Sequence, residues 1–263
     1  MNEEDWRRFL GGYHDARPGI TERFFGLVDE SPYAWLAEPL RPVTGTVLDL
    51  ACGSAPLRAR LPDARWIGVD ASAGELAAAA RLGRGPVVRA DATALPLRSA
   101  SADAVCASMC LPVLTPLPQV LGEVRRVLRP GGTLAALVPA QSGLSASGAL
   151  AWARVMYALR AMRQPWPNPR ARDGLAELLR GAGFRVRSDQ RRVFALRLDT
   201  PDAVALLVDG LYLPRLSKRR AQAAKQALAA WASSGRRLEL PLRRVVAESF
   251  AVSGGREGDR PRA

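Results

Sequence analysis

Apolar positions along the chain switch between two periods, and the switches mark out its elements. Ile20, Phe24, Leu27 and Val28 recur at helical spacing behind Pro18. Ser31 and Pro32 then supply an N-cap and a first-turn residue for a second short helix, which Pro39 ends. Runs at 46–50, 65–70, 86–91, 102–109 and 133–139 are short, apolar and bounded by turn residues, and read as strands. Between and after them, 56–61, 74–82, 117–128, 149–162 and 172–183 read as helices. Arg129-Pro130-Gly131-Gly132 closes the third of these, and Gly181 and Gly183 the last. Two late strands, 184–198 and 242–252, are separated by helical segments within 201–232. Alternating strand–helix units predict an α/β fold: a mostly parallel sheet with helices on both faces. There is no internal repeat.

The first three strands end alike. Asp49, Asp70 and Asp91 close them at spacings that repeat, which places three carboxylates on the edge of the sheet where open α/β folds bind ligands. A strand-end aspartate can simply cap the next helix. Three in register, with a run of small residues after the first, indicate a ligand. An acid about 20 residues beyond such a turn suits ribose hydroxyls, and Asp70 holds that place. The turn itself reads Ala51-Cys52-Gly53-Ser54-Ala55-Pro56. It lacks the Gly-x-Gly-x-x-Gly fingerprint, which argues against a nicotinamide dinucleotide.

The segments "VLDLACGSAP", "WIGVDAS", "RADATALPL", "ADAVCASMCL" and "EVRRVLRPGGTLAALVP" resemble, in order and spacing, the class I S-adenosylmethionine-dependent methyltransferases. The likeness is to the type-11 branch, which includes quinone-biosynthesis methyltransferases, and covers residues 43–139, extending loosely through "LLRGAGFRV". It implies a Rossmann-like sheet of seven strands, mostly parallel with the last antiparallel. It also implies an N-terminal helical lid at 1–42 and a methyltransferase domain at 43–252 with a helical insertion at 201–232. A disordered tail is expected at 253–263. The cofactor implied is S-adenosyl-L-methionine. Asp49 would orient the methionine amino group, and Ala51 and Gly53 belong to the turn beneath the methionine and ribose. Asp70 would take the ribose hydroxyls, Asp91 and the Ala92 backbone the adenine, while Ala107 and Ser108 would lie along the methionine. Where the family turn has its first and third glycines this chain has Ala51 and Ala55, and alanine disfavours positive φ. Pro112 and Val113 stand where relatives often carry histidine.

Methyl transfer from a sulfonium is an in-line displacement that needs alignment above all, and a base only where the nucleophile carries a proton of high pKa. The chain has one histidine, His14 in "GGYHDARPGI", so His14 is the candidate catalytic base, alongside Tyr13 and Arg17. Cys110 follows the fourth strand but reads as a small buried residue, not a nucleophile. Trp152, Tyr157 and Trp166 read either as core or as the wall of a substrate pocket.

Composition narrows the remaining classes. Three cysteines without a Cys-x-x-Cys pair indicate neither a disulfide framework nor a metal site. The opening "MNEEDWRRFL" is unlike a signal peptide, and no apolar run reaches membrane-span length. These features predict a cytoplasmic protein. The net charge of +13 falls entirely in residues 151–263, since 1–150 balance. Such an excess fits either a solvated arginine surface or a nucleic-acid partner. With no aromatic-interleaved RNA motif beside it, the reading is a metal-independent methyltransferase of a small-molecule substrate. An RNA methyltransferase and a non-catalytic cofactor-binding protein are the alternatives.

Overall fold

A computed structural model describes residues 1–232 and 235–250. Its frame is a seven-stranded sheet of β1 (Thr46–Leu50), β2 (Arg65–Asp70), β3 (Val87–Arg89), β4 (Ala102–Ser108), β5 (Leu128–Pro139), β6 (Phe184–Arg197) and β7 (Arg237–Ser249). The order is β3-β2-β1-β4-β5-β7-β6. The first five pair in parallel, while β7 runs antiparallel to both β5 and β6. The chain winds outward from β1 to β3 and returns to place β4 on the other side of β1. That reversal opens a crevice at the carboxyl ends of β1 and β4.

Strand alternation feeds two cores, one per face. Val47, Cys106 and Leu137 pack with Phe24, Leu36, Val155 and Leu228. Their chain neighbours Leu48, Val105 and Val138 pack on the other face with Val120, Val124 and Leu179. The first face is covered by α2 (Ile20–Phe25), α3 (Pro32–Ala37), α6 (Ala146–Ala158), α9 (Pro201–Asp209) and α10 (Lys218–Ala229). The second is covered by α5 (Leu117–Val127), α7 (Arg170–Asp173) and α8 (Leu175–Gly181). α4 (Ala73–Arg81) links β2 to β3.

Several elements depart from the periodicity reading. Three helices, not two, precede β1, and the longest is the unexpected α1 (Glu3–Ala16). Gly11 and Gly12 weaken its local propensity, although Trp6, Phe9, Leu10 and Tyr13 keep the i, i+3, i+4, i+7 spacing of an apolar face. The readable signals lay at its start: Asn2 caps it, and Glu3, Glu4 and Asp5 fill the first turn. The helix expected at 56–61 is a single 3₁₀ turn at Arg58–Arg60. Strand β3 has three residues and stops before Asp91. The helix expected at 172–183 breaks at Gly174 into α7 and α8. β5 starts at Leu128, and the Arg129–Gly132 segment becomes an irregularity in its pairing with β4. The last strand begins at Arg237, earlier than its apolar run. The expected tail, 253–263, lies outside the described residues. No helix among the described residues is long and apolar enough to cross a membrane.

Candidate functional site

The crevice holds a cavity of about 290 Å³ whose floor is the carboxyl edge of β1, β2 and β4. Asp49, Ala51, Gly53, Asp70, Asp91, Ala92 and Ser108 all line it. Ala107 does not. It lies one residue before Ser108 on β4, so its methyl points down into the second core. Met109 and Cys110 complete that wall in its place.

Asp49 is the most constrained of these groups. It is 1% exposed, and its Oδ2 has no hydrogen-bond partner among the described residues. Burial, with Asp70 nearby adding repulsion, pushes its pKa up from 3.8 to about 7. A carboxyl whose pKa is higher folded than unfolded binds extra protons in the folded state. Its contribution to stability is therefore full below pH 3.8, declines as pH rises to about 7, and is flat above. Denaturant titrations of Asp49→Asn and the parent should reveal it. The parent should lose about 2–4 kcal/mol relative to the variant between pH 4 and 7.5. An unchanging difference would mean that Asp49 is ordinarily ionised. Ser108 Oγ is a second buried wall atom without a partner. These two unsatisfied atoms suit a ligand with a cationic donor group.

The turn after β1 has left-handed backbone at alternate residues: φ is +52° at Ala51, +55° at Gly53 and +58° at Ala55. Gly53 takes this conformation freely. Each alanine adopts it at roughly 1–2 kcal/mol. The glycine-to-alanine departures therefore leave the shape of the turn intact. Asp70 holds that turn open from below. Its Oδ2 accepts from the Gly53 amide and its Oδ1 from the Ser72 amide, both at 2.8 Å. Burial raises its pKa, and these two amides oppose the rise. Asp91 lies in the turn beyond β3, accepting from the Thr93 amide and hydroxyl and 3.9 Å from Arg7.

Helix α1 roofs the cavity. Arg7, Leu10, Gly11 and His14 share the face turned inward. Trp6 donates to the Val113 carbonyl at 2.7 Å, and the Tyr13 hydroxyl donates to the Asp209 carbonyl. At the other end, Asp15 accepts from the Ser72 hydroxyl and the Gly74 amide, so its carboxyl is held below its usual range. The approach there is close: a Cβ on Gly74 would stand 2.9 Å from the Asp15 carbonyl oxygen.

Two residues that the sequence did not single out meet His14. Its Nδ1 lies 2.8 Å from Glu75 Oε1, and its Nε2 lies 3.1 Å from the Tyr212 hydroxyl. Glu75 is buried, and its other oxygen accepts from the Gly19 amide at 2.7 Å. The pattern Ser72-x-x-Glu75 reads as a capping box, which conceals this role. Ser72 does cap α4, but its own amide is taken by Asp70, and Glu75 turns toward the lid instead. Nothing local could mark Tyr212, which stands 198 residues from His14.

Other candidates resolve simply. Cys110 lines the cavity, but burial pushes its thiol well above its usual range, so it is no thiolate nucleophile. Trp152 donates to the Glu239 carbonyl, and Tyr157 is exposed. Neither they nor Trp166 walls this cavity. Tyr33 and Tyr212 are its aromatic lining.

Residues 48–136 match the model of a methyltransferase domain family. The chain is 35% identical over 170 residues to the malonyl-[acyl-carrier protein] O-methyltransferase of Alcanivorax borkumensis, covering 60% of this chain and 54% of the relative. It is 33% identical over 132 residues to the trans-aconitate 2-methyltransferase of Deinococcus radiodurans, covering 49% and 46%. The chain thus spans about half the length of these curated relatives. Among solved structures it shares its fold with a Haemonchus contortus phospholethanolamine N-methyltransferase bound to S-adenosylhomocysteine. There the TM-score is 0.57 and identity 16%, over 94% of this chain and 60% of that one. The [4+2]-cyclase SpnF has the same fold at TM-score 0.53 and 20% identity, over 83% and 80% of the two chains.

Proposed function

We propose that this chain, residues 48–136 of which match a methyltransferase domain family, is a class I, type-11 S-adenosylmethionine-dependent methyltransferase of a small-molecule acceptor. The observation that carries this reading is the floor of the cavity: Asp49 with an unpartnered buried oxygen, the left-handed Ala51–Ala55 turn, and Asp70 side by side. Asp49 would hold the ammonium of the cofactor's methionine, Asp70 the ribose hydroxyls, and Asp91 with Ala92 the adenine. The cofactor would supply a methyl group already activated on a sulfonium sulfur. The curated relatives, named for malonyl and aconitate substrates, support a carboxylate-bearing acceptor. A cytoplasmic location belongs to the same reading. Calorimetry with S-adenosylhomocysteine tests it: binding in the micromolar range is expected, and no heat at about 1 mM ligand would refute it.

For a protonated nucleophile, His14 would act through Tyr212. The Glu75 carboxylate only accepts, so His14 Nδ1 carries the proton and Nε2 accepts from the Tyr212 hydroxyl. The acceptor's proton would pass to Tyr212 Oη as the Tyr212 proton passes to His14 Nε2. Glu75 would then face an imidazolium. Tyr212→Phe should slow methylation of a phenol or alcohol about 100-fold while leaving S-adenosylhomocysteine affinity unchanged. A carboxylate acceptor, already ionised, should be indifferent. Equal loss with both acceptors would mean that Tyr212 only supports the lid.

A further inference from the structure

Two groups stand out within the positive charge of the second half. Several arginines on and beside the last strands are paired within the molecule. Arg243 pairs with Asp189, Arg244 with Glu38, Arg237 with Asp29, and Arg185 and Arg187 with Glu248. Arg236 and Arg244 also stack over Trp231 and Trp35. Residues 236–244, an obvious basic run in the sequence, are thus largely spent within the molecule.

The second group is different. Arg160, Arg163, Arg215 and Arg220 line a second cavity, of about 710 Å³. Among the described residues none of the four side chains makes an ion pair, a hydrogen bond or an aromatic stack. Glu3 is the single carboxylate-bearing residue on that wall, against four guanidinium groups. The rest is mostly apolar, including Trp6, Leu159, Leu213 and Pro165. All four arginines are exposed, so their pull on an anion comes from their number and forked geometry, not from burial.

The two cavities share walls. Helix α1 presents Glu3 and Trp6 to the second and Arg7, Leu10 and His14 to the first. The adjacent residues Tyr212 and Leu213 divide in the same way. One helix, roughly 10–12 Å across, separates them.

We propose that the second cavity binds a phosphoryl group at the far end of the methyl acceptor, a phosphate ester whose apolar arm spans helix α1 to reach the first cavity. Its role in the substrate rests on the methyltransferase reading. The binding site itself does not. Four forked donors without partners match the oxygens and double charge of a phosphate monoester, and one carboxylate would leave most of them unused. The concave, largely apolar wall suits a single head group with an arm, not a track for a nucleic-acid backbone.

Calorimetry on the full chain, with hexyl phosphate, hexanoate, inorganic phosphate and a single-stranded RNA of about 20 nucleotides, decides it. Hexyl phosphate should bind with Kd below about 1 mM, and hexanoate about tenfold more weakly. Arg160→Ser/Arg163→Ser and Arg215→Ser/Arg220→Ser should each weaken hexyl phosphate about tenfold or more. Arg65→Ser, at the start of β2, should change nothing. S-adenosylhomocysteine affinity should stay within about twofold in every variant. If S-adenosylhomocysteine fails to bind the parent while hexyl phosphate behaves as expected, the cavity stands and the methyltransferase reading falls. Three results would overturn the proposal: no binding of hexyl phosphate at about 5 mM, equal affinity in the arginine variants, or RNA binding more tightly than the ester and losing affinity with the same arginines.

Discussion

Glu75→Ala should destabilise the protein by about 3 kcal/mol and release helix α1. Glu75 is buried and accepts from the Gly19 amide, which begins α2, while its other oxygen meets His14 of α1. Removing it leaves the Gly19 amide and a ring nitrogen without their partner, in a place where water enters poorly. Each donor left without its charged acceptor costs about 1.5–3 kcal/mol when buried, and the partial exposure of His14 lowers its share. Urea titration would measure the loss. Hydrogen exchange would locate it, with residues 3–25 losing protection before the sheet does. Glu75→Gln keeps the volume and one acceptor and should lose about half as much. A change below about 0.5 kcal/mol in Glu75→Ala would show that the lid is held elsewhere, by Asp15 on Ser72 and Gly74 or by Trp6 on Val113.

Asp70→Ala should weaken S-adenosylhomocysteine by about 1.5–3 kcal/mol, a factor of roughly 10–150, through the loss of hydrogen bonds to a charged acceptor. The structure adds a second reason for a large effect. Asp70 also fixes the Gly53 and Ser72 amides, so its loss frees the floor of the cavity as well as removing the proposed ribose acceptor. Asp70→Asn separates the two contributions. An amide side chain retains one acceptor, yet one of the two backbone amides would then face its NH₂ group. Asp70→Asn should therefore resemble Asp70→Ala more than the parent. Calorimetry at neutral pH reads both, and parental affinity in either variant would place the ribose elsewhere.

Both predictions turn on interactions of different reach along the chain, and that difference separates what the sequence determined from what it could not. Period and punctuation are local, so the alternating units, the seven strands and the aspartates at or just beyond three strand ends could be read directly. The Ala51–Ala55 turn was legible for the same reason. Small residues after a strand have one local use, and only its sign was open: the structure gives both alanines positive φ. Ala107 was placed one residue out of phase with the cavity, because a stretch of apolar and small residues hides which face of a strand each one takes. α1 carries a periodic face in Trp6, Phe9, Leu10 and Tyr13, but Gly11 and Gly12 lower its propensity, and the helix is held by tertiary partners at Val113, Asp209, Ser72 and Glu75. The junction of Glu75, His14 and Tyr212 joins three segments of the chain that share no pattern. Likewise, the basic excess was visible as a number, but which arginines are neutralised and which line a cavity depends on the carboxylates that folding brings to them. The sequence by itself determined the sheet, its order of elements and the carboxylates at its edge, since each follows from neighbours a few residues away. Only the tertiary structure decided what covers that edge and where charge stays unpaired, since those contacts form between residues that approach one another only once the sheet has assembled.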